Sequence, residues 1–399
     1  MEPEISAHVH RPYLKSETRL SVQVDVEPGT VAAPARNEFV ICLDTSISMD
    51  NEGKLEKAKA ALTDWVFALV DDADAISVVA FDSEPSVVFE LTEWADLDRD
   101  EAEDEIESLA AGGQTDMYGA LETAADILAG QDEVGPTAKR ILLLSDGKQN
   151  APEKSNAAFE RLASRIDDRG IRIRAGGIGT DYDEAVIKAL GTAARGKWIH
   201  VQEPREIRDF FGTAVEEAQT VIGADAELRF EFHPGVEVNE AFRAYPQVHQ
   251  ANVEWDDSTA SVRLPDLRER ADQQVAMELQ APDATRGPVT LAEVKLCVRG
   301  ETWARTRLDV TYTDDTEKLK QVNENVDLHL QKTRIRSELG DGNVEAAQTV
   351  LEETQLVHDE TDVGDVEQAV TRVEEHGDAA ARNQTTLVSD RLDGSERDS

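Results

Sequence analysis

Cysteine is almost absent from this chain. Cys42 and Cys297 are the only two in 399 residues, and each sits in an apolar, strand-like run. Two distant thiols make neither a disulfide framework nor a zinc site, and they read as reduced core residues, as expected of a cytoplasmic protein. Long apolar runs are missing too: no window approaches the roughly 18 residues of a membrane span, and the charged start, MEPEISAHVHRPYLKSETRL, has no signal-peptide core. Positive charge is scarce, with 41 Lys and Arg against 82 Asp and Glu, a formal net charge of −41. That balance excludes nucleic acid as a partner, because phosphates need a basic surface.

The acid is spread along the whole chain, so it reads as adaptation to a salty cytoplasm, of the haloarchaeal kind, rather than as one acidic binding surface. Self-repulsion of this size weakens a compact fold at low ionic strength, and salt screens it. With 40% apolar residues the chain still has enough material for packed cores in two or three domains.

The hydrophobic pattern changes period along the chain. Residues 1–36 read as two strands, EISAHVHRPYL and TRLSVQVDV. His8 and His10 would share a strand face, as solvent-facing histidines or as a metal-binding pair. From Asn37 strands and helices alternate. NEFVICLD is nearly continuous in apolar character, as expected of a strand buried on both faces, and KLEKAKAALTDWVFALV has helical periodicity. The alternation predicts a doubly wound α/β domain with a mainly parallel, Rossmann-like sheet over 37–222. Short alternating strands then return over 223–315 and predict an antiparallel β-sandwich. The two N-terminal strands lack partners in the α/β segment, so they are expected to join that sandwich, with the α/β domain inserted between them. Helices are expected over 316–388, including one from EKLKQ to RSEL, with glycines after Leu339 and His376 at helix ends; 389–399 should form a flexible tail.

In open α/β sheets, ligands bind at the carboxyl ends of the strands. Three strings fall there: DTSISM with Asp44, Ser46 and Ser48, QTDM with Thr115, and LLLSDG with Asp146. They supply two carboxylates and three hydroxyls, with no imidazole or thiolate. An all-oxygen set suits a hard divalent cation: Mg²⁺ first, Mn²⁺ or Ca²⁺ as alternatives. Ser48 near two aspartates also suggests a hydrolase nucleophile, but none of the three strings contains a histidine or lysine to act as base. An aspartyl phosphotransferase would use Asp44, yet its usual second acid, two residues on, is here Ser46. The loop AGGIGTDYDE lacks the phosphate-cradling pattern and reads as a structural turn.

DTSISM, QTDM and LLLSDG, in this order and on these elements, resemble the metal-ion-dependent adhesion site (MIDAS) of von Willebrand factor type A (VWA) domains. The resemblance implies that Asp44, Ser46, Ser48, Thr115 and Asp146 form the metal site, with Ser46, Ser48 and Thr115 as direct ligands. Ile47 stands where many relatives have Gly, which would stiffen or displace the loop without removing a ligand. The wider order of strands, A domain, sandwich and helices resembles soluble prokaryotic members of the family. Some of those act beside AAA+ ATPases of the MoxR type or beside phosphorylation-signalling proteins. The function implied is a non-enzymatic, metal-dependent adaptor that binds a partner's Asp or Glu. A metal-assisted phosphohydrolase, or an assembly component whose metal stabilises the fold, are the alternatives.

Overall fold

The computed structural model describes residues 2–30, 35–130, 137–146, 155–178, 182–194, 196–201, 206–256 and 259–376. The expected tail over 389–399 and the middle of the AGGIGTDYDE turn lie outside them. The chain divides into two units, one over 32–224 and one combining 1–31 with 225–399.

Three strands open the chain, β1 (Glu4–Val9), β2 (Tyr13–Leu14) and β3 (Thr18–Glu27). The 32–224 unit then begins with β4 (Arg36–Asp44), a 3₁₀ segment (Ile47–Gly53) and α1 (Lys54–Ala61), which continues through one π turn into the short α2 (Phe67–Leu69). There follow β5 (Ala75–Phe81), β6 (Pro85–Glu93), α3 (Arg99–Glu107), α4 (Met117–Ala129) and β7 (Thr137–Ser145). The unit closes with α5 (Asn156–Asp168), β8 (Ile171–Ile178), α6 (Glu184–Ala193), β9 (Lys197–Val201), α7 (Glu206–Gln219) and β10 (Val221–Gly223).

Six of these strands form one sheet in the order β6-β5-β4-β7-β8-β9, parallel except for the antiparallel β5–β6 edge. Strand β4 lies at its centre, and alternation sends its side chains to two cores. Phe39, Ile41 and Leu43 pack with Leu55, Leu62, Ile207 and Phe211 on one face. Val40 and Cys42 pack with Leu121, Leu128, Phe159 and Leu190 on the other. Burial on both faces is why the strand reads as continuous rather than alternating in sequence. At the base of the unit Ala35 donates its N–H to the Val221 carbonyl at 3.0 Å, so the entering and leaving segments lie side by side.

The other unit continues with β11 (Ala226–Phe232), β12 (Glu237–Tyr245), β13 (His249–Gln250), β14 (Val253–Asp256), β15 (Thr259–Arg263) and β16 (Leu267–Arg268). Three long strands follow, β17 (Gln273–Ala281), β18 (Gly287–Val298) and β19 (Glu301–Tyr312). One sheet runs β1-β3-β17-β12-β13 and the other β14-β15-β11-β18-β19-β2, antiparallel except for β2–β19. The N-terminal strands thus pair with strands some 250 residues further along the chain; Val22, for example, lies opposite Met277. The two N-terminal histidines do not share a strand face as expected. Strand β1 stops at Val9, and His8 turns to Asp25 at 3.4 Å while His10 turns to Asp327 at 3.7 Å.

The helices are α8 (Thr316–Leu319), α9 (Glu324–Gly340), α10 (Val344–Gln355) and α11 (Glu360–His376). The stretch from EKLKQ to RSEL is therefore two helices rather than one. Asp315 caps a single turn by accepting from the Glu317 and Lys318 N–H groups, and the Asn323 N–H is drawn to the His10 carbonyl at 2.7 Å. Helix α9 also runs through Gly340, and the left-handed residue at its end is Gly342 (φ 78°). Ile335, Leu339, Ala347, Leu351, Val363, Val366 and Val370 close a core among the last three helices, and Leu330 packs with Phe242, Ala244 and Ala276 of the sheet. Val326, Leu330, Leu351, Val366 and Val370 are buried within the chain, while Leu356 and Val357 after α10 are 86% and 75% exposed.

Candidate metal centre

The site lies where β4 and β7, neighbours in the parallel sheet, both end. Asp44 closes β4 and is fully buried. Its Oδ1 accepts the Ser46 N–H at 2.8 Å, and its Oδ2 accepts the Ser145 hydroxyl from the end of β7. Ser46 and Ser48 are joined by a 3.1 Å hydrogen bond between their hydroxyls, and Ser48 donates to Asp146 Oδ1 at 2.6 Å. Four of the five expected residues thus form one continuous set of hydrogen bonds.

Thr115, the fifth, is buried in a loop fastened to the first. Gly112 donates its N–H to the Thr45 carbonyl at 2.8 Å, and the Ile47 N–H points to the Gly113 carbonyl at 3.5 Å. Asp116 holds the other side, since its N–H bonds the Asp82 carbonyl at 2.6 Å and its carboxylate caps α4 by accepting from the Gly119 N–H at 3.0 Å. Thr115 is therefore fixed between an anchor to the first loop and the start of a helix.

Ile47 is not among the described residues with positive φ, so the position makes no demand for glycine, and its side chain projects outward with 71% exposure.

Two residues at the site were not singled out in the sequence. Ser145 was visible as the Ser of LLLSDG but had no assigned role. Lys54 lies beyond all three strings, and its Nζ stands 2.5 Å from Asp146 Oδ2. The only local sign of it was the Glu-Gly pair before it, Glu52 and Gly53, both left-handed at φ 58° and 64°. That turn aims the first residue of α1 back at the sheet edge.

Burial dominates the electrostatics of Asp44 and pushes its carboxyl up to about 6, while the hydrogen bonds from Ser145 and Ser46 pull the other way and neighbouring Asp146 adds to the rise. None of these neighbours is a cation. Among the described residues, these two buried carboxylates have one ammonium beside them, that of Lys54 on Asp146. The donor chemistry fits a divalent cation: all-oxygen and hydroxyl-rich. Among the described residues no group of three or more His, Cys, Asp or Glu side chains is placed to hold a metal ion, so this fit rests on three hydroxyls and two carboxylates.

An open, mainly parallel sheet with helices on both faces and an oxygen cluster at the carboxyl ends of its central strands defines an α/β domain of the doubly wound class. Comparison with known proteins agrees with that class: residues 39–149 match the von Willebrand factor type A domain. An uncharacterized protein of Synechocystis sp. is 24% identical over 262 residues, 64% of this chain. The chain spans 60% of that relative's length. Two solved structures share the fold along nearly the whole chain. The von Willebrand factor type A protein from Catenulispora acidiphila has a TM-score of 0.76 at 17% identity, covering 97% of this chain and 96% of its own. The ArnB paralog VWA2 from Sulfolobus acidocaldarius has a TM-score of 0.68 at 17% identity, covering 98% of each.

Proposed function

We propose that this protein is a metal-dependent protein-binding adaptor, in which an intact MIDAS holds a divalent cation that captures an acidic residue of a partner. The carrying observation is the set Asp44, Ser46, Ser48 and Asp146, joined by hydrogen bonds, with Asp44, Ser46 and Asp146 buried and, among the described residues, one ammonium beside the two carboxylates. These four residues and Thr115 would hold Mg²⁺, with Mn²⁺ or Ca²⁺ as alternatives. Once bound, the cation supplies a Lewis-acid coordination position for a carboxylate. The residues of the chain do the rest: three neutral hydroxyls leave the cation electron-poor enough to take a further anionic ligand, and Ser145 keeps Asp44 aimed. The two antiparallel sheets read as a sandwich that displays this domain. An AAA+ ATPase or a signalling protein would be a fitting partner.

The geometry favours binding over catalysis. Ser48 donates a hydrogen bond to Asp146, whose negative charge is already engaged by Lys54, and this pairing makes Asp146 a weaker base toward the hydroxyl. Calorimetric titration with MgCl₂ tests the reading. The wild type should bind one equivalent and Asp44→Ala none; at about 100 times Kd the ion should stabilise the wild type by about 2.7 kcal/mol. Partner capture should disappear with chelator and with Asp44→Ala alike. A partner set indifferent to both, or steady phosphoester turnover lost in Asp146→Ala, would overturn the adaptor reading.

A further inference from the structure

Lys54 is placed where simple helix chemistry would not put it. It is the first residue of α1, where the helix dipole disfavours a cation, and it follows two consecutive left-handed residues, one of them Glu52 rather than glycine. The other lysines of this helix behave differently: Lys57 bonds the Glu52 carbonyl, and Lys59 bonds Glu56 and the carbonyls of Glu107 and Leu109. Of these three lysines, Lys54 alone reaches the candidate metal centre. It brings its ammonium to 2.5 Å from an Asp146 carboxylate that is 1% exposed, while its own side chain is 15% exposed. Ser48 takes Asp146 Oδ1 and Lys54 takes Oδ2, so both oxygens of this carboxylate are engaged from within the chain.

We infer that Lys54 is a tethered counterion that competes with the divalent cation for Asp146 and so sets the metal concentration at which the site loads. This rests on the metal-site reading and says how that site is regulated. The ammonium partly neutralises a pair of buried carboxylates that would otherwise be costly, so folding does not require the metal. A divalent cation acting on Asp146, directly or through water, brings two positive charges close to a third. Lys54 has a flexible four-carbon stem and a partly open route to solvent, and it is the member of the cluster able to leave. Loading is therefore an exchange of one cation for another, and its threshold is tuned at residue 54.

Titration calorimetry of the full chain with MgCl₂ and with MnCl₂ tests this on the wild type, Lys54→Met, Lys54→Arg and Asp44→Ala. Removing the competitor in Lys54→Met should tighten metal binding by about tenfold or more, and Lys54→Arg should stay near the wild type. Equal or weaker binding by Lys54→Met, with wild-type binding that Asp44→Ala abolishes, would overturn the competition while leaving the metal site intact. Absence of binding by the wild type and Lys54→Met would overturn both. A measurement on the wild type covers the case in which Lys54→Met fails to fold: the rate of reductive methylation at Lys54, read by mass spectrometry with and without Mg²⁺. Faster modification with metal supports release of the ammonium, and an unchanged or slower rate overturns it.

Discussion

At Gly113 the backbone takes φ +67°, and a Cβ there would lie 2.8 Å from an Asp82 carboxylate oxygen and from the Ser83 hydroxyl. Conformation and space both demand glycine, and the residue sits in the loop that fixes Thr115. Gly113→Ala should cost about 1–3 kcal/mol in urea unfolding and weaken Mg²⁺ binding as well, because the loop must shift to relieve the contact. A loss of stability with unchanged metal affinity would show that Thr115 is not held by this loop. Residues of this kind divide what the sequence made legible from what it hid. Asp44, Ser46 and Ser48 could be read because oxygen donors at alternate positions follow an apolar strand, and Asp146 because it ends another. Lys54 could not, because its role depends on a left-handed Glu-Gly turn that reverses the chain toward a carboxylate 92 residues away. At Ile47 the backbone makes no demand for glycine, since its φ is not positive.

Among the elements, helix α9 carries the connection between the terminal helices and the five-stranded sheet. Asp327 accepts from Ser21 of β3 at 2.5 Å and pairs with His358 at 3.1 Å, while Arg334 bridges Glu240 of β12 and Glu278 of β17. Leu330 is fully buried among Phe242, Ala244 and Ala276. Leu330→Ala should cost about 2–5 kcal/mol and make the terminal helices the first segment cut in limited proteolysis. His329, beside it, adds a pH dependence. Burial, reinforced by nearby Arg336, lowers its imidazole to about 4, so it stays neutral in the folded chain while the unfolded chain takes up a proton near the ordinary value of 6.5. The folded state then holds fewer protons between these two values, and stability falls as pH drops from about 6.5 toward about 4. The loss is on the order of 3 kcal/mol if the shift is fully expressed, and His329→Gln should flatten that part of the stability–pH curve. Helical periodicity made α9 to α11 legible as a group. The break before α9 was not, because it depends on a His10 carbonyl more than 300 residues earlier in the chain.

For the molecule as a whole, the charge of −41 sets the condition under which the fold is most stable. Individual exposed pairs such as Arg169–Asp126 add little and lose that little to screening. Repulsion among the 82 acidic residues is spread over the chain and is screened as well, with a Debye length near 10 Å at 0.1 M salt and near 3 Å at 1 M. Repulsion outnumbers attraction, so the thermal midpoint should climb as KCl rises from 0.1 to about 2 M. A midpoint that fell with salt would mean that the ion pairs outweigh the excess charge. The side-by-side segments at Ala35 and Val221 carry an evolutionary consequence. A unit whose two ends lie side by side is a cassette, suited to insertion in a host loop that spans a few ångströms. Residues 32–224 expressed alone should fold cooperatively, and grafting them into a tight hairpin of an unrelated sheet protein should leave both partners native by circular dichroism.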